Sequence, residues 1–95
     1  MNTIDSFIKQ NNNTDIVAVY EFNINNKLYY KTFKFNSVDK FIKNCILIID
    51  TNIVLPKLYL SNKIKRYDNE EIDSIIKFIK NIYYLRNKIK QLTYL

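Results

Sequence analysis

Between Asp15 and Phe35 the chain alternates with a period of two on both sides of an Asn-Asn pair, and no other stretch leaves the fold fewer choices. Ile16, Ala18, Tyr20, Phe22 and Ile24 fall on one side while Val17, Val19, Glu21 and Asn23 fall on the other, the pattern of a half-buried strand. Asn25 and Asn26 tolerate the positive φ that a two-residue type I′ turn demands, which makes Lys27 to Phe35 the return strand. Such a turn pairs Ile24 with Lys27 and fixes every later pair. Phe22 with Tyr29, Ala18 with Phe33 and Ile16 with Phe35 then share one face. Val17, Val19, Glu21, Tyr30, Thr32 and Lys34 share the other. Lys31, opposite Tyr20, is the misfit; it has to run its stem over the apolar face and put its ammonium out at an edge.

Around this hairpin the sequence predicts a small α+β domain occupying all of residues 1–95, with helices on one face of a three- or four-stranded sheet. In residues 1–14, Thr3 caps a short helix with Ile4, Phe7 and Ile8 on one face, and the polar run Gln10 to Thr14 reads as a linker or turn. Asn36 or Ser37 begins a second helix, with Asp39 near its positive end and a stripe of Val38, Phe41, Ile42, Cys45, Ile46 and Ile49 to cover the hairpin. Asp50, Thr51 and Asn52 stop it. Ile53 to Leu60 is then a third strand, demoted to an edge position or a bulge by Pro56, which cannot donate to a ladder, and a crossover through the helix brings it back roughly parallel to the return strand. Ser61 and Asn62 can instead turn a second hairpin, with Lys63 to Tyr67 as a fourth strand.

Residues 68–95 form a long closing helix. Asp68 with Glu71 has the acidic form of a capping box. Ile75, Phe78, Ile82, Leu85, Ile89 and Leu92 follow at alternating spacings of three and four, as a helix-packing seam requires. Ile72, Ile76, Ile79 and Tyr83 widen the apolar surface in the first half only, so burial should be deep at the start and narrow at the end.

Composition narrows the function classes. The chain has no His and no Gly. The first absence removes the usual general base near neutral pH and the commonest metal ligand. The second rules out a phosphate-binding Walker loop, a dinucleotide fingerprint and a nucleophile elbow in their usual forms. Asp39, Asp50 and Glu21 have no spacing that predicts convergence, so no catalytic residue, metal or cofactor is expected. Cys45 has no partner for an internal disulfide and reads as a small core residue. With no basic-then-apolar leader in Met1 to Gln10, and no apolar run longer than five residues, such as the one that contains Ile46 to Ile49, the expected compartment is the cytoplasm.

Ile, Lys, Asn and Tyr make up more than half of the chain (16, 13, 14 and 8 residues). In that bias the whole chain resembles the small orphan proteins of AT-rich viral genomes, such as those of the rod-shaped viruses of hyperthermophilic archaea. The resemblance implies a viral protein working in host cytoplasm. Tyr-rich surfaces favour binding, and the outer hairpin face with Val17, Val19, Tyr30 and Thr32 is apolar enough to dock a partner if no helix covers it, so an adaptor or inhibitor that occupies a host factor is expected.

The formal net charge of +6 is unevenly placed. Asp68, Glu70, Glu71 and Asp73 open the closing helix, and nothing acidic follows. Lys77, Lys80, Arg86, Lys88 and Lys90 come after. This suits the helix dipole, and it also makes two antiparallel copies complementary. A homodimer through the seam is therefore expected. Lys63, Lys65 and Arg66 add a basic cluster before the helix; with Lys77, Lys80, Arg86, Lys88 and Lys90 they could meet phosphates or an acidic partner. The expectation is a basic binding protein without catalytic activity, a protein-interaction module, with non-specific nucleic-acid binding through the closing helix as the alternative.

Overall fold

A computed structural model describes residues 3–12, 15–52 and 54–93, with side chains described as far as Lys88. The expected position of Ile53 at the head of the third strand, and the side chains of Ile89, Lys90 and Leu92, lie outside the described residues. The order is α1 (Thr3–Gln10), β1 (Ile16–Ile24), β2 (Lys27–Phe35), α2 (Val38–Thr51), β3 (Lys57–Ser61) and α3 (Asn69–Thr93).

The hairpin has the register that its turn dictates, from Ile24 opposite Lys27 to Ile16 opposite Phe35. Asn25 and Asn26 hold φ of 53° and 66°, the left-handed values of a type I′ turn. β3 pairs antiparallel with β1 on its other side, giving the order β2-β1-β3. Because β2 and β3 are both antiparallel to β1, they run in the same direction, as the crossover predicts, with β1 between them. The third strand starts at Lys57 rather than Ile53. Pro56, with no N–H to give a ladder, stands immediately before it. The second hairpin is present only as a tight return: Asn62 N–H donates to Lys65 O, Tyr67 N–H donates to Leu60 O, and a single bridge joins Ser61 to Arg66.

All three helices pack on the face of β1 that carries Ile16, Ala18 and Tyr20. Phe7, Phe41, Cys45, Ile72, Ile75 and Ile79 meet those residues with Leu58 and Leu60 in one core. Edge-to-face and stacked rings cross it from Tyr20 through Phe33, Phe35, Phe41 and Phe7 to Tyr67, with centroids 5.4 to 6.0 Å apart; each such pair adds about 0.5–1.5 kcal/mol to simple area burial. The shortest dimension, 22 Å, matches one sheet layer and one helix layer.

Local chemistry starts the helices where the sequence places them. Ser37 caps α2, its hydroxyl accepting from Lys40 N–H. At α3 the capping box is complete: Glu71 N–H donates to Asp68 Oδ1 at 2.8 Å, and Asp68 N–H donates to Glu71 Oε2 at 3.0 Å. Early α3 is deeply buried, with Ile72, Ile75 and Ile79 in the core, and Leu85 is 60% exposed.

One corner of the fold departs from its sequence reading. Asn11, placed in a linker, is fully buried. Its amide donates to Phe7 O and Tyr67 Oη, and its carbonyl accepts from Asn62 Nδ2. Asn62 also accepts Ile64 and Lys65 N–H, so one side chain holds the β3–α3 turn and anchors α1 to it.

Candidate interaction surface

The hairpin is longer than its helical cover. Its first residues, Ile16 to Tyr20, alternate between buried and half-buried, whereas Asn23 to Thr32 are exposed throughout. Ile24, Leu28, Tyr29 and Tyr30 each keep more than half of their surface in water, and so does Leu47 on α2. Among the described residues, the large exposed hydrophobics concentrate here, with Val54 and Leu55 close by after α2. Single exposed apolar residues are ordinary on a protein surface; a contiguous set is not.

Ile24, Tyr29, Tyr30 and Leu47 border an open groove of about 670 Å³. Phe22, Ile24, Tyr29 and Phe33 form its hairpin wall, and Leu47 and Ile48 form its α2 wall. A smaller pocket of about 180 Å³ shares Phe22, Ile24 and Asn52 and extends the apolar surface to Val54 and Leu55. Lys31 lines the groove and is exposed. Its position on an edge strand resolves the misfit opposite Tyr20: the ammonium reaches water past an edge that no strand among the described residues covers.

The backbone of β2 is equally open. In a hairpin closed by a two-residue turn, the closing pair exchanges both hydrogen bonds and the pairs then alternate. Lys27, Tyr29, Lys31, Phe33 and Phe35 therefore bond inward to β1. Leu28, Tyr30, Thr32 and Lys34 point N–H and C=O outward. The same alternation carried across β1 turns Leu58 and Leu60 outward on β3, and the bond from Tyr67 N–H to Leu60 O agrees with it.

The opposite face of the sheet carries Val17, Val19, Tyr30, Thr32 and Tyr59, and no helix among the described residues packs on it. Its two tyrosine hydroxyls are already engaged. Glu21 accepts from Tyr30 Oη at 2.9 Å and from Tyr59 Oη at 3.5 Å, and Lys57 Nζ lies 5.0 Å from the Tyr59 ring centre. The bond to the Glu21 carboxylate raises the Tyr30 phenol above its usual range.

A third cavity, of about 400 Å³, lies between α2, α3 and the approach to β3, and is lined by Tyr20, Cys45 and Ile72, with Asp73 and Lys80 also contributing. Tyr20 Oη is 3.0 Å from both Asn44 Oδ1 and Cys45 Sγ. Burial pushes the Cys45 thiol up to about 12, so it stays protonated and unreactive at neutral pH. Burial likewise raises the Tyr20 phenol. The carboxylates do not meet: Asp39 pairs with Lys43, Asp50 accepts from Tyr83 Oη, and Glu21 faces its tyrosines.

The residues expected at a dimer seam divide. Ile75, 1% exposed, lies in the protein's own core, and Phe78 is partly buried against it. Ile82 is half-buried, and Leu85 is exposed beside Tyr84. The expected basic contacts divide too. Lys65 is engaged internally, 2.6 Å from Glu71 Oε1 and over the Tyr67 ring, and the Glu71 bond raises its ammonium above the usual range. Arg66 lines a shallow recess with Val19 and Tyr59, on the bare face of the sheet. Lys63, Lys77, Arg86 and Lys88 are exposed, and Lys80 is half-buried. Of Lys63, Lys65 and Arg66, Lys65 is thus held in an ion pair by the protein itself.

Sequence reasoning missed the groove and the Asn11 cluster. The groove's signal was the hairpin's length: nine residues per strand against a fourteen-residue α2, which spans about 21 Å at 1.5 Å per residue where the strands span about 30 Å. No helix among the described residues is long and apolar enough to cross a membrane. Comparison with protein families, with curated proteins and with solved structures returned no match.

Proposed function

We propose that this chain acts by binding and not by catalysis, as a protein-interaction module that docks a partner at the overhanging end of its hairpin. The observation that carries the proposal is the open apolar groove between the hairpin and α2, bordered by Ile24, Tyr29 and Leu47. Fully covering one such side chain contributes roughly 1.5–3 kcal/mol, so a partner that fills the groove gains a useful affinity from a few contacts. In the viral setting that composition suggests, the partner is a host protein and the role that of an adaptor or inhibitor. Affinity capture from cell lysate, repeated after nuclease treatment, tests it. One retained protein that Leu47→Glu releases is the expected result; partners that vanish with nuclease contradict it.

Self-association belongs to the same proposal and rests on the second half of α3, where Leu85 and Tyr84 are exposed and the stripe continues in sequence through Ile89 and Leu92. Sedimentation at micromolar concentration should give twice the 11.5 kDa chain mass. A clean monomer removes the dimer.

A second reading, nucleic-acid binding, is favoured by the bare face of the sheet. Tyr30 and Tyr59 stand there with Lys34, Lys57 and Arg66, aromatic rings among cations as a single strand requires. Glu21, bonded to both tyrosines, works against it. Binding to single-stranded DNA at about 50 mM salt, where phosphate contacts are strongest, tests this alternative.

A further inference from the structure

The groove does not stand alone: the free edge of β2 runs along it. Tyr29, Lys31 and Phe33, which line the groove, alternate along that strand with residues whose N–H and C=O face outward. We propose that the edge of β2 accepts, as an added strand, an extended acidic segment of a partner protein, whose inward side chains are apolar and enter the groove against Leu47. This rests on the interaction-module reading and names the chemistry of its partner.

Geometry supplies the first argument. Four residues, Leu28, Tyr30, Thr32 and Lys34, offer up to eight backbone bonds over about seven residues of strand. An added strand lies about 4.8 Å from β2, so every second side chain falls above the exposed flank of α2, where Asn44, Leu47 and Thr51 line the groove. Main-chain bonds then give affinity and the groove gives selectivity, the division of labour found wherever a peptide completes a sheet.

Charge supplies the second. Lys27, Lys31 and Lys34 are the only charged side chains of β2, and none has a salt-bridge partner among the described residues. Lysines on an edge strand are also a device against self-pairing. Both effects have one cause and point the same way. Two copies joined edge to edge would bring six ammonium groups together, so a second copy is disfavoured; a segment with carboxylates is favoured by the same field.

Titration followed by amide NMR of the whole chain tests the proposal, with a capped ten-residue peptide alternating valine and glutamate as probe and its valine–lysine counterpart as control. The expected result is saturable shifts, larger at the amides of Leu28, Tyr30, Thr32 and Lys34 than at those of Tyr29, Lys31 and Phe33. Affinity should be at least tenfold lower for the lysine peptide and for Lys34→Glu, because Lys34 lies on the face opposite the groove, the one the peptide's glutamates share. Thr32→Pro, which removes an outward N–H, should abolish binding. A probe N-methylated at alternate amides should fail equally, and that arm does not depend on how the variant folds. Absence of saturable shifts, shifts without the alternation, or equal binding of both peptides overturns the proposal. So does concentration-dependent protection of the same amides without peptide, the mark of a second copy, or stronger shifts with a ten-nucleotide single strand. If the peptide fails while Leu47→Glu still releases a captured protein, strand addition is wrong and the interaction module stands; if capture fails as well, both fall.

Discussion

The two edges of the sheet are treated in opposite ways. β3 is five residues long, follows Pro56, and is closed on its outer side by the return through Asn62 to Tyr67, whose N–H takes the Leu60 carbonyl. β2 is nine residues long, contains no proline or bulge, and has no backbone partner outside β1 among the described residues. Exposed edges invite uncontrolled pairing, and small proteins usually shorten, cover or charge them. Here one edge is shortened and covered, and the other is only charged. Under the strand-addition proposal, the long edge of β2 beside the groove is the edge left open to a partner.

Substitutions can break or sharpen that contrast. The largest effect belongs to the guarded side: Leu60→Ala opens a cavity in the core and should cost about 2–5 kcal/mol in urea unfolding, whereas Leu28→Ala on the open edge should stay within about 0.5 kcal/mol. Proline comes next, as a test of register. Lys31→Pro removes an inward bond to β1 and should cost roughly 2–3 kcal/mol, while Thr32→Pro removes only an outward N–H and should cost about 1 kcal/mol or less. Equal costs would mean that the alternation along β2 is misassigned. Asn62→Ala strips the turn that closes β3 and leaves buried Asn11 short of a donor, for about 1–3 kcal/mol; the corresponding β2 change, Thr32→Ala, should be close to neutral.

The smallest effect concerns β1, shielded by both neighbours. Burial raises the Cys45 thiol against Tyr20 to about 12, above the value near 9 of an unfolded chain. The unfolded state therefore loses its proton first as pH rises, so this contribution is intact below pH 9 and declines toward 12, by about 1 kcal/mol at pH 10. Cys45→Ala should unfold with a weaker alkaline dependence than the parent over that range. An unchanged dependence would show that the thiol is not insulated.

Much of this architecture was legible in the sequence because it is local. Asn25-Asn26 sets a register without help from the rest of the chain, and Asp68 with Glu71 closes its own capping box. Lys31 was legible in a different way: a lysine on an apolar face signals a strand at an edge, which β2 is. What could not be read depends on distant partners. Asn11 is buried because Asn62 and Tyr67, more than fifty residues away, supply its bonds. The groove exists because α2 is shorter than the hairpin it covers, a mismatch between two elements that no local pattern records. The heptad spacing of α3 alone does not say which half faces its own sheet; the second apolar set, Ile72, Ile76, Ile79 and Tyr83, does, and the burial of Ile72, Ile75 and Ile79 agrees with it.

Hydrogen exchange of the β2 amides, measured on the protein alone, tests the central claim most directly. An open edge predicts alternation: Tyr29, Lys31 and Phe33 protected by β1, and Leu28, Tyr30, Thr32 and Lys34 exchanging at rates near those of an unfolded chain, independent of protein concentration. Uniform protection along β2, or protection of the outward four that grows with concentration, would contradict it.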